Sequence, residues 1–226
     1  NRCRANKLAG IGIEDSARAT VIGNVCEKNK ATGLGVQKKA HATLLNNQCI
    51  ENGLVAIGVG NGASARIVGN QLKRTGGMPP MIAILKGSSA VITGNTITGG
   101  GVAGVMVQGS AVIRDNRFEG NGPRRGPGPP NFAVWAHGGS EVTFTGNEVD
   151  RWRHALHASG AKNMTANNNR ISRFLGTAIV IQKTAAPANA FGNVAFSGNA
   201  KDRAVSVSGP QGVVNANVCK PVKKNN

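Results

Sequence analysis

The sequence Ala-Thr-Val-Ile-Gly-Asn-Val-Cys at residues 19–26 defines a unit that recurs along the whole chain. It returns as Ala-Thr-Leu-Leu-Asn-Asn-Gln-Cys at 42–49 and as Ala-Arg-Ile-Val-Gly-Asn-Gln-Leu at 65–72. Alignment on the shared asparagine gives ten anchors: Asn1, Asn24, Asn47, Asn70, Asn95, Asn116, Asn147, Asn169, Asn193 and Asn217. Seven of the nine spacings between anchors lie within 22–25 residues, and periods of this length indicate a solenoid.

Each unit also contains short runs in which alternate residues are apolar, such as Gly-Val-Met-Val at 104–107 and Thr-Ala-Ile-Val-Ile at 177–181. Alternation with period 2 is typical of half-buried strands, and the 3.6-residue period of a helix is missing. The sequence therefore predicts an all-β fold, a right-handed single-stranded parallel β-helix of about nine to ten coils. We expect one domain over residues 1–219, with a loop inserted at 119–131 and a polar tail at 220–226.

The alignment also predicts which residues face inward. The positions three before, five before and two after the anchors are held almost throughout by apolar residues. The cysteines Cys3, Cys26, Cys49 and Cys219 fall in the last of these columns, so we interpret them as small buried hydrophobes. A Cys3–Cys26 or Cys26–Cys49 disulfide remains an alternative. The anchor asparagines are expected at turns, where their amides would bond to the same groups in neighbouring coils.

The loop inserted at 119–131 indicates where a ligand-binding site lies. The spacing between Asn116 and Asn147 is 31 residues, and the extra segment is rich in proline and glycine. Long loops of solenoids tend to lie on the binding face. The outward positions of the alternating strand are held mainly by glycine in the first coils and by large or polar residues in the later coils. The candidate residues are Met106, Gln108, Trp135, His137, His157 and Gln182, with Arg124, Arg125, Arg151 and Arg153 nearby.

Charge and composition limit the partners. The net charge of +17, from 27 Lys and Arg against 10 Asp and Glu, favours an anionic partner or serves solubility alone. Aromatic residues make up only 4% of the chain, so a stacking platform for nucleic acid is not expected. No apolar run is long enough for a transmembrane segment. The chain starts in mid-repeat without a signal peptide, as expected of a processed form, of an excised domain or of the ordered part of a longer protein.

The repeat A-x-V/I-x-G-N-x-I/C followed by G-V/I-x-V/I resembles the β-helix repeats of the pectin-lyase-like superfamily over nearly the whole chain. The resemblance is to its carbohydrate-binding and sugar-hydrolase group, which includes alginate epimerases and copper-accessory β-helix proteins. It implies binding or processing of a polysaccharide on the exposed face of one parallel sheet, in a secreted or periplasmic protein. The catalytic signatures of that superfamily, such as Asp-Pro-His-Asp or an aspartate trio, are missing from the sequence.

Two functions remain open at this point. The first is binding or processing of an acidic polysaccharide near coils 5–8, with His137 and His157 as catalytic residues if the protein is a lyase or C5-epimerase. Trp135, Met106, the glutamines and the arginines would then bind the substrate. The second is a non-catalytic binding or stalk domain of a larger extracellular protein. No cofactor is expected, and no metal, because the histidines lack a third ligand at the usual spacing.

Overall fold

The fold is a solenoid of parallel strands. The structure is a computed structural model and describes residues 1–123 and 131–222. Its 28 strands form three parallel sheets, which we name A, B and C, of ten, nine and nine strands. Each complete coil contributes one strand to each sheet in turn. The all-β parallel solenoid predicted from the repeat is confirmed, and at parallel-strand spacing it extends for about 45 Å.

The strands are as follows. Sheet A contains β1 (Arg2–Arg4), β4 (Val25–Glu27), β7 (Gln48–Ile50), β10 (Gln71–Arg74), β13 (Thr96–Gly99), β16 (Arg117–Glu119), β19 (Glu148–Asp150), β22 (Arg170–Ser172), β25 (Val194–Ser197) and β28 (Val218–Pro221). Sheet B contains β2 (Ile11–Ile13), β5 (Leu34–Val36), β8 (Ile57–Val59), β11 (Ile82–Ile84), β14 (Ala103–Val107), β17 (Phe132–Ala136), β20 (His154–Ser159), β23 (Thr177–Gln182) and β26 (Arg203–Ser208). Sheet C contains β3 (Arg18–Ile22), β6 (His41–Leu45), β9 (Ser64–Val68), β12 (Ser89–Thr93), β15 (Ser110–Arg114), β18 (Glu141–Thr145), β21 (Asn163–Asn167), β24 (Ala188–Phe191) and β27 (Gln211–Asn215).

The core consists of stacked columns of like side chains. In sheet A the column of cysteines continues as Leu72, Ile97, Phe118, Val149, Ile171, Ala195 and Cys219, each in register with the next. Cys26 and Cys49 are fully buried, which confirms their interpretation as small core residues, whereas Cys3 and Cys219 are half-buried and pack against the core; all four are free thiols. One column departs from the alignment, because a register shift opposite Ala188 pairs it with Gln211 in place of Gly212.

The anchor asparagines form the predicted ladder. Asn47 donates from Nδ2 to Asn70 Oδ1 at 3.1 Å, and its backbone N–H donates to the same oxygen at 2.8 Å. The pattern repeats from Asn1 to Asn217 and is unchanged across the insertion, where Asn116 donates from Nδ2 to Asn147 Oδ1 at 3.0 Å. The residue before each anchor adopts a left-handed conformation, which glycine, asparagine and aspartate tolerate best.

A second, shorter ladder lies at the corner between sheets A and B. Asn6 Nδ2 donates to Asn29 Oδ1, and Asn29 Nδ2 donates to Asn52 Oδ1, both at 2.9 Å. In the next coil the buried guanidinium of Arg74 ends the series by donating to the carbonyls of Asn52, Leu54 and Pro79. These hydrogen bonds fix the corner at which the chain enters sheet B.

Candidate functional site

The outer face of sheet B carries the predicted row of outward residues. Met106 of β14 is in register with Trp135 of β17, and Trp135 is in register with His157 of β20. All three side chains are half-buried. The same row is glycine in the first coils, at Gly12, Gly35 and Gly58. Strand register therefore brings the large residues together on three adjacent strands.

Around Trp135 the aromatic and imidazole rings form a continuous cluster. The Trp135 ring lies 4.2 Å from the ring of His137, centroid to centroid, and 5.7 Å from that of Phe132. Phe132 stacks on His157 at 4.7 Å with an angle of 8° between the planes, and His154 lies 5.5 Å from Phe132. We call these five residues the ring cluster. Phe132 and His154 were not among the predicted site residues.

The histidines of the ring cluster are held neutral. Burial lowers the pKa of His137 and His157 below the ordinary value, and His154 and Arg153 lower that of His157 further. Burial and Arg153 also lower the pKa of His154, against the opposing effect of a hydrogen bond to the Thr177 carbonyl. That bond, 2.6 Å from His154 Nδ1, requires the proton on Nδ1 and leaves Nε2 as the basic nitrogen.

His137 and His157 are not directly opposite each other on neighbouring strands. The residue in register with His157 is Trp135, and His137 lies two residues after Trp135, directly beyond the end of β17. The offset separates their Cα atoms by about 8 Å in place of one strand spacing. His137 Nε2 and His157 Nδ1 are buried without a hydrogen-bond partner within residues 1–123 and 131–222. A ligand above the sheet would meet the other nitrogen of each ring, Nδ1 of His137 and Nε2 of His157.

The arginines predicted to bind a ligand differ in their surroundings. Arg153, directly before β20, is close enough to His154 and His157 to lower their pKa values, and it has no ion pair within the described part of the chain. Arg151 faces the outside of sheet A, where Glu119 at 2.7 Å and Asp150 at 3.4 Å neutralise it. Its assignment as a ligand-binding residue is therefore not supported by its contacts. Arg124 and Arg125 lie outside the described residues.

The glutamines flank the ring cluster. Gln108 directly follows β14 and Gln182 ends β23, and both are half-buried. They belong to the row that contains His137, so they bracket it at three strand spacings from each other, about 14 Å. Polar side chains thus stand on both sides of the rings along the solenoid axis.

Trp152 belongs to the core. It is fully buried, and a Cβ placed on Gly120 would lie 3.1 Å from its ring. Trp152 lies 17 residues after Trp135 in the sequence, but its position at the corner before β20 turns it inward. Gly120 allows the start of the inserted segment to pass directly over this ring. Trp152 therefore supports the chain beside the ring cluster without facing a ligand.

A concavity of the described chain lies on another face. A trough of about 790 Å³ crosses the outer surface of sheet C, from Arg18 to Thr165. The ring cluster lies on sheet B, so shape and aromatic chemistry point to different faces. A partly buried platform of rings needs no deep cavity to hold a flat ligand, so the ring cluster is the stronger candidate for the functional site. In residues 1–123 and 131–222 no group of three His, Cys, Asp or Glu side chains is placed to hold a metal ion.

Three parallel sheets wound around one core define a parallel β-helix protein with a ring cluster on one outer face. The sequence matches the profile of the family described as right-handed β-helix region over residues 1–111 and 78–218, so the chain belongs to this family. No curated protein matches the sequence significantly. Among solved structures, an alginate lyase from Paenibacillus sp. str. FPU-7 is similar with a TM-score of 0.62 and 14% identity, over 93% of this chain and 88% of that chain.

These similarities confirm the predicted resemblance to pectin-lyase-like β-helix proteins at the level of the fold. At 14% identity the likeness to the lyase shows the fold alone. Within the described ranges, no helix with the length and apolarity to cross a membrane is found.

Proposed function

We propose that the protein binds an acidic polysaccharide on the outer face of sheet B, between β14 and β23. The ring cluster is the observation that carries this proposal. The face of the half-buried Trp135 offers apolar surface for a sugar ring, with the buried Phe132 packed against it, and the surrounding imidazoles and glutamines offer hydrogen bonds to its hydroxyls. Such a mixture of flat apolar surface and polar edges suits a sugar better than a purely apolar ligand.

The charge of the site favours an acidic sugar. Arg153 adjoins the ring cluster without an ion pair among the described residues, so a carboxylate or sulfate of the ligand would be its first anionic partner. The net charge of +17 would draw a polyanion towards the surface. The similarity in fold to a protein described as an alginate lyase adds a carboxylated polysaccharide to the candidate ligands. A secreted or periplasmic location follows from this proposal, since such polymers lie outside the cytoplasm.

Proton transfer is a second candidate function, favoured by the lowered pKa values of the histidines. A lyase or C5-epimerase must remove a proton next to a carboxylate, which needs a neutral base and a cation for the developing charge. His157 Nε2 or His154 Nε2 would supply the base, and Arg153 the cation. Production of an unsaturated sugar from polyuronates tests elimination. Binding without product would assign the protein to the non-catalytic alternative, a binding or stalk domain of a larger protein.

Replacing Trp135 with alanine is expected to weaken polyuronate binding about tenfold or more, because a central aromatic platform contributes more than ~1 kcal/mol. Titration calorimetry with alginate and polygalacturonate measures the change. Trp135→Phe keeps an aromatic face and should retain most of the affinity. Equal affinity in the wild type and Trp135→Ala would show that the ligand does not contact the ring cluster.

The stability of the fold is expected to decrease as the pH falls below about 6.5, the ordinary histidine pKa. Because the pKa values of His137, His154 and His157 are lowered in the folded state, the unfolded chain binds more protons in this range. This loss is absent above that pH and grows towards the folded-state pKa values. Thermal melting between about pH 8 and 5 measures it.

A single substitution separates the ring cluster from other causes of this pH dependence. His157→Gln should flatten the dependence, because it removes a half-buried imidazole whose pKa is lowered in the folded state. An unaltered dependence in His157→Gln would contradict the assignment to the ring cluster.

A further inference from the structure

The trough on sheet C has the form of an extended binding surface. It crosses seven consecutive strands, from β3 to β21, which corresponds to about 29 Å along the solenoid axis. Its outward side chains are mainly short and hydroxylated, with valine at two central positions. They include Thr20, Thr43, Ser64, Ser89, Val91, Ser110, Val112, Thr143 and Thr165. No Phe, Tyr or Trp side chain lines it among the described residues.

The charge of this trough is concentrated at one end. Arg18 and Arg66 are exposed and have no ion pair within residues 1–123 and 131–222. His41 lies in register with Arg18, and its Nδ1 is 2.6 Å from Ser64 Oγ. At the other end the one acidic lining residue, Glu141, is neutralised by Lys162 at 2.8 Å. The open trough therefore presents two free guanidinium groups and no free carboxylate.

We propose that the trough on sheet C is a second polysaccharide site, which binds an extended chain carrying carboxylates or sulfates. Hydroxyl side chains both donate and accept hydrogen bonds, as sugar hydroxyls do, and they repeat at the strand spacing along the trough. Arg18 and Arg66, two strands apart, pair with anionic groups of the chain. A nucleic acid suits this surface less well, because no Phe, Tyr or Trp side chain of the described trough provides a stacking platform for bases.

The test measures polygalacturonate binding in the Trp135→Ala background, in which the proposed site on sheet B is weakened. The double variant Arg18→Gln/Arg66→Gln is expected to lower the remaining affinity at least about tenfold, because it removes two charge-assisted contacts. Its matched control is Lys73→Gln/Arg117→Gln, which removes the same charge from exposed positions on sheet A. Melting temperatures verify that all variants are folded.

Each outcome separates the trough from the site on sheet B. Residual binding that is lost in the trough variant but kept in the control supports the proposal. Loss of all binding in Trp135→Ala alone overturns it and leaves the function proposed for sheet B intact. Equal losses in the trough variant and the control overturn it in favour of unspecific charge. Tighter binding of duplex DNA than of polygalacturonate, lost in the trough variant, would assign the trough to nucleic acid.

Discussion

Replacing Asn116 with alanine is expected to lower the free energy of unfolding by about 4 kcal/mol. The side chain makes five hydrogen bonds, and its partners lie in three other coils. Its Oδ1 accepts from the backbone N–H and Nδ2 of Asn95, at 2.9 and 3.0 Å. Its Nδ2 donates to Ile92 O, Arg114 O and Asn147 Oδ1, each within 3.0 Å.

The magnitude follows from burial. Asn95 is 1% exposed and Asn147 is fully buried, so water cannot replace the lost partner without opening the solenoid. Each buried polar atom left without a hydrogen bond costs about 1–3 kcal/mol. Chemical denaturation in urea measures the loss as a shift of the midpoint.

Asn163→Ala is the matched control, because Asn163 is exposed on β21. Its stability should stay within about 0.5 kcal/mol of the wild type, as is usual for surface substitutions. A loss of less than about 1 kcal/mol for Asn116→Ala would mean that water enters the column and that the ladder adds little to stability.

Truncation of Trp152 to alanine is the second change with a large expected effect, a loss of about 3–5 kcal/mol. The fully buried ring fills the corner below Gly120, and the backbones of Arg151 and Arg153 on either side of it form hydrogen bonds to both adjacent coils. Its Nε1 has no hydrogen-bond partner within residues 1–123 and 131–222, so the loss comes from packing. Thermal or urea unfolding measures it.

Two comparisons make the Trp152 result specific. Trp152→Phe retains most of the apolar volume and removes the unpartnered N–H, so its loss should be clearly smaller. Trp135→Ala, on the half-buried outer face, should also be less destabilising than Trp152→Ala. If the two alanine variants were equally stable, Trp152 would not have the core position described above.

The sequence predicts the parts of the fold that repeat once per coil. A parallel sheet places residues of equal repeat position side by side, so alignment alone identifies the columns from Cys3 to Cys219 and the anchor ladder. The same logic places Met106, Trp135 and His157 in one row. Local alternation and repeat length are sufficient here, because each coil contacts only the coils next to it.

What the sequence does not predict lies where this regularity ends. In β17 Phe132 breaks the alternation, because its ring stacks on His157 although Val134 and Ala136 face the core. Trp152 lies at a corner between two strands, where the two-residue alternation that predicts inward and outward side chains does not apply. The ladder of Asn6, Asn29 and Asn52 spans only three coils before Arg74 replaces it, too few to stand out as a pattern. The trough on sheet C is a matter of the shape of seven strands together, which alternation does not encode.

The anchor ladder makes the architecture tolerant of changes in chain length. The hydrogen bond between Asn116 and Asn147 bridges 31 residues at 3.0 Å, and that between Asn95 and Asn116 bridges 21 residues at the same distance. The ladder therefore resets the register at every coil, whatever length of chain has passed between two rungs. Insertions and deletions at the corner between sheets A and B leave the next coil in place. Insertions and deletions at this corner can therefore change the chain next to the ring cluster during evolution without altering the strands that position the rings.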